Sequence, residues 1–150
     1  IVKAFFWVAD FIILIKINEL YIINMNIILF KSSVLSLYIH MIALTYYENV
    51  TDKYLLFVIY SGLFGSIVNH YFTNEYIKYT DRILMNIGFH YDFYILFINS
   101  ELLHLGLLIT CVILYVSTKI IKSTIPHMLS HLVLIVVHIR LISLFSTNMI

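Results

Sequence analysis

Two uninterrupted apolar runs, LLFVIYSGLFGSIV at 55–68 and LGLLITCVILYV at 105–116, constrain the fold of this chain more than any other feature. Neither alternates apolar with polar residues, so neither suits a strand with one wet face. Across the 150 residues, 62% are hydrophobic and 11% charged, with a mean hydropathy of +0.98. A soluble domain is nearer 45–50% apolar and about 25% charged. So much apolar surface on so short a chain requires lipid to cover part of it. Within lipid every backbone N–H and C=O must be paired internally, which leaves helices or closed barrels. Barrel strands would read as roughly ten-residue alternating segments. The expectation is therefore an all-α, polytopic transmembrane helix bundle in one domain, with about five spans and a range of four to six.

Along the chain, apolar segments fall at 4–17 (holding Asp10), 25–44 (interrupted by Lys31), 54–72, 102–118 and 127–145. The 54–72 segment reads as the clearest span, and its small residues Ser61, Gly62, Gly65 and Ser66 allow another helix close. TNEYIKYTDR at 73–82 is the most polar stretch. Residues 83–97 are apolar but short, with His90 and Asp92 in the middle, so 83–118 holds either one span or two. Pro126 marks a helix start, where its missing N–H costs nothing. Lys and Arg are spread over both sets of loops and do not orient the chain. The single cysteine, Cys111, sits in an apolar run and reads as a buried structural thiol. A net charge of +1 gives no sign of nucleic-acid binding. Abundant Ile, Tyr, Phe and Asn with scarce Gly, Ala, Arg and Pro is the pattern of codons poor in G and C, as in many mitochondrial genomes. Ile1 in place of Met fits processing, a fragment or an alternative start codon.

Ionisable residues inside spans are costly and are candidates for function. Lys31, His40, Asp92, Glu101 and His104 fall in this class. Glu101 and His104 are three apart, on one helical face, and can pair or exchange a proton. The histidines suggest a second chemistry. Ser66 and His70 are four apart, Asp81 lies eleven beyond His70, and His127 and His131 are four apart on one helix face. Two His at that spacing can share a zinc, and a third ligand with water makes a catalytic site. Such a site closes only if 83–118 crosses the membrane twice, which returns His127 to the face of His70.

Several families are similar in part. The order Ser-x3-His, Asp, His-x3-His resembles the membrane hydrolases that include alkaline ceramidases and progestin/adiponectin-type receptors, which have seven helices. That resemblance implies a metal-dependent intramembrane hydrolase using Ser66, His70, Asp81, His127 and His131, with zinc as cofactor. The His70-to-Asp81 spacing resembles succinate dehydrogenase membrane anchors, although Arg82 stands where a Tyr usually follows the Asp. ENVTDKYLLFVIYSGLFGS and Ser130-His131-Leu132 look like parts of rhomboid proteases, but the Gly-x-Ser-Gly nucleophile motif is missing. The layout as a whole most resembles chain 6 of respiratory complex I, the NADH:ubiquinone oxidoreductase. The residues behind this are Asn24, the Tyr-x-Gly motif at Tyr60, Ser61 and Gly62, and MLSHLVLIVV with Ser130. Met25 and His127 depart from the family, where Pro and an acidic residue are usual. This resemblance implies a non-catalytic multi-pass subunit of the mitochondrial inner membrane with no cofactor of its own. Its partners would be the lipid bilayer and other membrane subunits of a large respiratory complex. It would help to shape the proton-translocation path from the ubiquinone end, through a helix distortion at Tyr60 and Gly62 and through Glu101 and His104.

Overall fold

The computed structural model describes residues 26–47, 49–72 and 74–146. Within them the chain forms five helices: α1 (Ile27–Tyr46), α2 (Lys53–Tyr71), α3 (Glu75–Ile98), α4 (Leu102–Ile121) and α5 (Ile125–Leu144). There is no strand among the described residues. The apolar segment at 4–17, Asn24 and Met25 lie outside them. Helices α1, α4 and α5 are each long and apolar enough to cross a membrane. At about 1.5 Å per residue, a 20-residue helix is about 30 Å long, the thickness of the hydrocarbon layer. α2 falls outside that set although its sequence reads as the clearest span, because Asn69 and His70 lower the mean hydropathy of its last turn.

The polar residues between the runs start the helices. Asn26 accepts from Leu29 N (3.2 Å), Asp52 from Tyr54 N (2.8 Å) and Leu55 N (3.0 Å), and Asn74 from Tyr76 N (2.8 Å). Each satisfies a backbone donor that the first turn leaves open. Pro126 lies in the first turn of α5, as its sequence position implies. The stretch 83–118 resolves into two helices, broken at Asn99–Glu101, with Ser100 at φ 57° in the turn. α3 also begins well before residue 83. The polar stretch after Asn74 is helical, and Glu75 and Lys78 pair across one turn at 3.0 Å.

Each helix packs against its chain neighbours, and α5 returns to α1, so the five form a closed ring with α5 also touching α2 and α3. The α3–α4 contact is the sparsest of the ring. On α1 polarity is inverted relative to a helix of a soluble bundle. The buried face of α1 is Leu29, Ser32, Ser33, Ser36, His40 and Ala43, while Leu35, Tyr38 and Ile42 point outward at about half exposure. The spacing of three and four puts the small and polar residues on one stripe. Between hydrocarbon and a neighbouring helix, polar side chains belong against the helix. Apolar packing concentrates at one end, where Leu55, Ile59, Leu96, Leu108, Val137, Leu141 and Ile142 form the core. These residues come from the starts of α2 and α4 and the ends of α3 and α5. The opposite end is polar.

Two glycines set the α2–α3 approach. A Cβ on Gly65 would stand 3.1 Å from Leu84 Cδ1, and one on Gly88 would stand 3.2 Å from Val58 Cγ1. Gly62 is different, since a Cβ there meets nothing within 4 Å. Gly88→Val should therefore destabilise the bundle by about 1–3 kcal/mol through overpacking. Gly62→Ala should be neutral or stabilising by up to about 1 kcal/mol through helix propensity. Reversible unfolding in mixed micelles measures both, and equal effects at the two positions would contradict the assigned packing.

Candidate metal centre and cavity

Because successive helices run in opposite directions, the end of α2 and the start of α5 meet at the polar end of the bundle. This brings together His70, His127 and His131. One ligating atom from each lies within 4.8 Å of the others, with His70 and His131 buried and His127 half-buried. The ring centroids are 4.8 Å apart for His127–His131, 5.1 Å for His70–His127 and 5.8 Å for His70–His131. Zn–N bonds of about 2.0–2.1 Å in a tetrahedron put nitrogens about 3.3 Å apart, so small side-chain rotations would close the site.

Hydrogen bonds aim the rings. Ser32 donates its hydroxyl hydrogen to Leu29 O at 2.8 Å. It therefore accepts from His131 Nδ1, also at 2.8 Å. That fixes the His131 proton on Nδ1 and leaves the Nε2 lone pair free for a metal. His70 Nε2 is buried with no hydrogen-bond partner. An orphaned imidazole nitrogen beside two other imidazoles is the donor set that a transition-metal ion would satisfy. Ser33 donates to Leu29 O at 3.0 Å and accepts from Ser66 Oγ at 3.0 Å. Asp81 stands apart from the three histidines: its Oδ2 accepts from Asn69 Nδ2 at 2.7 Å and its Oδ1 is buried without a partner.

A cavity of about 310 Å³ runs inward from this end. Ser66 and His131 stand in its wall, as do Gly62, Val58 and Ile59 of α2 and Leu108 and Cys111 of α4. Its side toward the α3–α4 seam is lined by Arg82, Asn86 and Val112, all exposed on the outer surface. The cavity thus meets the exterior through the sparsest helix contact.

The remaining sequence candidates are dispersed. Tyr60 is 44% exposed and faces outward. α2 runs as an unbroken α-helix through Tyr60 and Gly62. Lys31 points outward as well. Cys111 is buried, and its thiol donates to Ser130 O at 3.2 Å. Glu101 and His104 do pair, at 3.0 Å, at the end far from the histidine cluster. Arg140 completes this group: its Nε donates to Glu101 Oε1 at 3.0 Å and its terminal NH2 contacts the same oxygen. Arg140 is 39 residues away in sequence, so no local spacing announces it. Ser32 is missed by motif reading for the same reason. The available signal is its place on the α1 stripe, with Ser36 and His40 four and eight residues on.

No protein-family model, no curated protein and no solved structure matches the chain. The site therefore stands on its own geometry.

The hydrogen bond from Arg140 holds the Glu101 carboxyl below its ordinary value of 4.5, against desolvation and with a smaller contribution from His104. A depressed folded-state pKa adds stability that is complete above the unfolded-chain value and is lost as pH falls through the folded one. Glu101→Gln should accordingly lower the melting temperature at neutral pH. The gap from the unsubstituted chain should shrink as the buffer is taken below the carboxylate range. A pH-independent gap would contradict the ion-pair assignment.

Proposed function

We propose that the chain is a metal-dependent hydrolase of the membrane interior, with His70, His127 and His131 as the metal ligands. The observation that carries this reading is the convergence of three imidazoles from two helices, beside a cavity that shares His131 and Ser66 with the site. Three histidines and one open position are the ligand set of catalytic rather than structural zinc sites. The order Ser66, His70, Asp81, His127 and His131 also resembles that of the alkaline ceramidase and progestin/adiponectin receptor group. A zinc ion bound there would supply Lewis-acid polarisation of a carbonyl and a water acidified to a pKa of about 7.

The chain's own residues supply the rest. Ser32 orients His131 and fixes its proton. Ser66, held by Ser33, presents a hydroxyl at the inner wall, where a substrate's polar group would sit. The apolar lining excludes bulk water and accepts a hydrophobic substrate arriving sideways through the α3–α4 seam. Asp81, held by Asn69 and set apart from the three histidines, is not a fourth ligand.

A second reading rests on the outward aromatic face of α2, where Phe57, Tyr60 and Phe64 are 63%, 44% and 62% exposed. That face, with the resemblance to chain 6 of NADH:ubiquinone oxidoreductase, fits a non-catalytic subunit packed among other membrane helices in the mitochondrial inner membrane. In that case the chain would bind no metal and would leave the membrane only with a large assembly.

Metal analysis of the purified, detergent-solubilised chain separates the two readings. The hydrolase reading expects one zinc per chain, loss of the zinc in His127→Ala, and a roughly 10–100-fold weaker zinc affinity in Ser32→Ala. A chain free of zinc that takes up none on titration sinks it. Co-purification with respiratory subunits, without zinc, would favour the second reading.

A further inference from the structure

Deeper in the bundle, away from the three histidines, lies a second buried polar chain. His40 of α1 is 0% exposed, Asp92 of α3 2% and His138 of α5 5%. His40 Nδ1 bonds to Ser36 O at 2.7 Å, His40 Nε2 to His138 Nδ1 at 2.8 Å, and His138 Nε2 to Asp92 Oδ2 at 3.0 Å. The His40 and His138 rings meet edge to face at 5.0 Å.

These three hydrogen bonds can be counted. Each needs one hydrogen. The Ser36 carbonyl supplies none, and an ionised carboxylate supplies none. Two neutral imidazoles supply one each, giving two hydrogens for three bonds. A third proton is required. It has three placements: on His40 as an imidazolium, on His138 as an imidazolium, or on the Asp92 carboxyl. In all three the bonds are complete and the net charge is zero, which suits a group removed from water. The placements differ only by proton hops along the existing bonds, so the proton belongs to the chain and not to one residue.

The chain also has an opening. Asp92 and His138 line the cavity, and Asp92 Oδ1 is buried with no hydrogen-bond partner. The other ionisable groups lining the cavity are Arg82 and His90 on α3, Cys111 and Tyr115 on α4 and His131 on α5, with Tyr91 adjacent to Asp92 in sequence, while α2 faces the cavity with Val58, Ile59, Leu63 and Ser66.

We infer that Asp92, His138 and His40 form a buried proton-binding site that carries one exchangeable proton and meets the cavity through Asp92. Its ligand is the proton itself. The cavity occupant that senses it is a molecule presenting a hydrogen-bonding group to Asp92 Oδ1. When the site gives its proton to such a group, an acceptor–H bond forms, the chain keeps two hydrogens, and its charge changes from zero to minus one. The site needs no metal, and its failure would leave the three-histidine reading untouched.

The test is spectroscopic and uses the whole chain in lipid nanodiscs, after treatment with a chelator. Histidine ¹⁵N NMR reports the protonation of each imidazole, and infrared difference spectra report a protonated carboxyl. Between about pH 6 and 8, where free imidazole titrates, the unsubstituted chain should show His40 protonated at Nδ1. It should also show either one imidazolium at His40 or His138, or the carboxylic-acid band. Asp92→Asn supplies the third hydrogen from its amide, so both imidazoles should then be neutral and the band absent, with the fold retained. Two neutral imidazoles beside an ionised Asp92 in the unsubstituted chain would overturn the inference. That measurement decides the matter even if the variant does not fold.

Discussion

The polar seam between α1 and α5 is the constraint on which the rest depends. Ser32 meets His131, and His40 meets His138, along facing stripes of two otherwise oily helices. In hydrocarbon a hydroxyl or imidazole without a partner is costly, and water is not there to supply one. Hydrophobic burial gives little preference between lipid and protein for an apolar side chain, so complementary polar contacts and close packing select how the helices face one another. The stripe on α1 can be satisfied only by a neighbour with matching donors and acceptors. α5 is that neighbour, although three helices separate them in sequence.

Once α1 and α5 are joined, the ring closes and the consequences follow in order. The up-and-down course places the end of α2 beside the start of α5, and so His70 beside His127 and His131. The apolar core then occupies the other end, held at its corner by Glu101 between Arg140 and His104. Close glycine contacts draw α2 to α3, but no comparable device joins α3 to α4, and the cavity opens there. Stability is thus concentrated away from the histidine cluster. The part of the bundle that would admit a ligand is the part with the least packing to lose.

Much of this was legible in the residues. Continuous apolar runs gave the helices, and the i, i+4 spacing of His127 and His131 placed both on one face. The start of α3 was not legible from hydropathy. Its first turns are polar, and what makes them helical is the Asn74 cap and the Glu75–Lys78 pair. The meeting of His70 with the α5 histidines depended on whether 83–118 turned back, a question decided by the break at Asn99–Glu101. The partners Ser32 and Arg140 come from 99 and 39 residues away, so neither pairing can be read from local spacing. The hydrogen count that requires an extra proton at Asp92 needs all three bonds of its chain to be known together.

The polar stripe of α1 faces protein while its opposite side faces acyl chains. Photolabelling with a lipid-soluble carbene precursor in bilayers, mapped residue by residue along α1 by mass spectrometry, tests this most directly. Insertion is expected at Leu35, Tyr38 and Ile42, which are 48%, 51% and 50% exposed, and none at Ser32 or His40, which are 7% and 0% exposed. Labelling of Ser32 and His40 equal to that of their outward neighbours would contradict it.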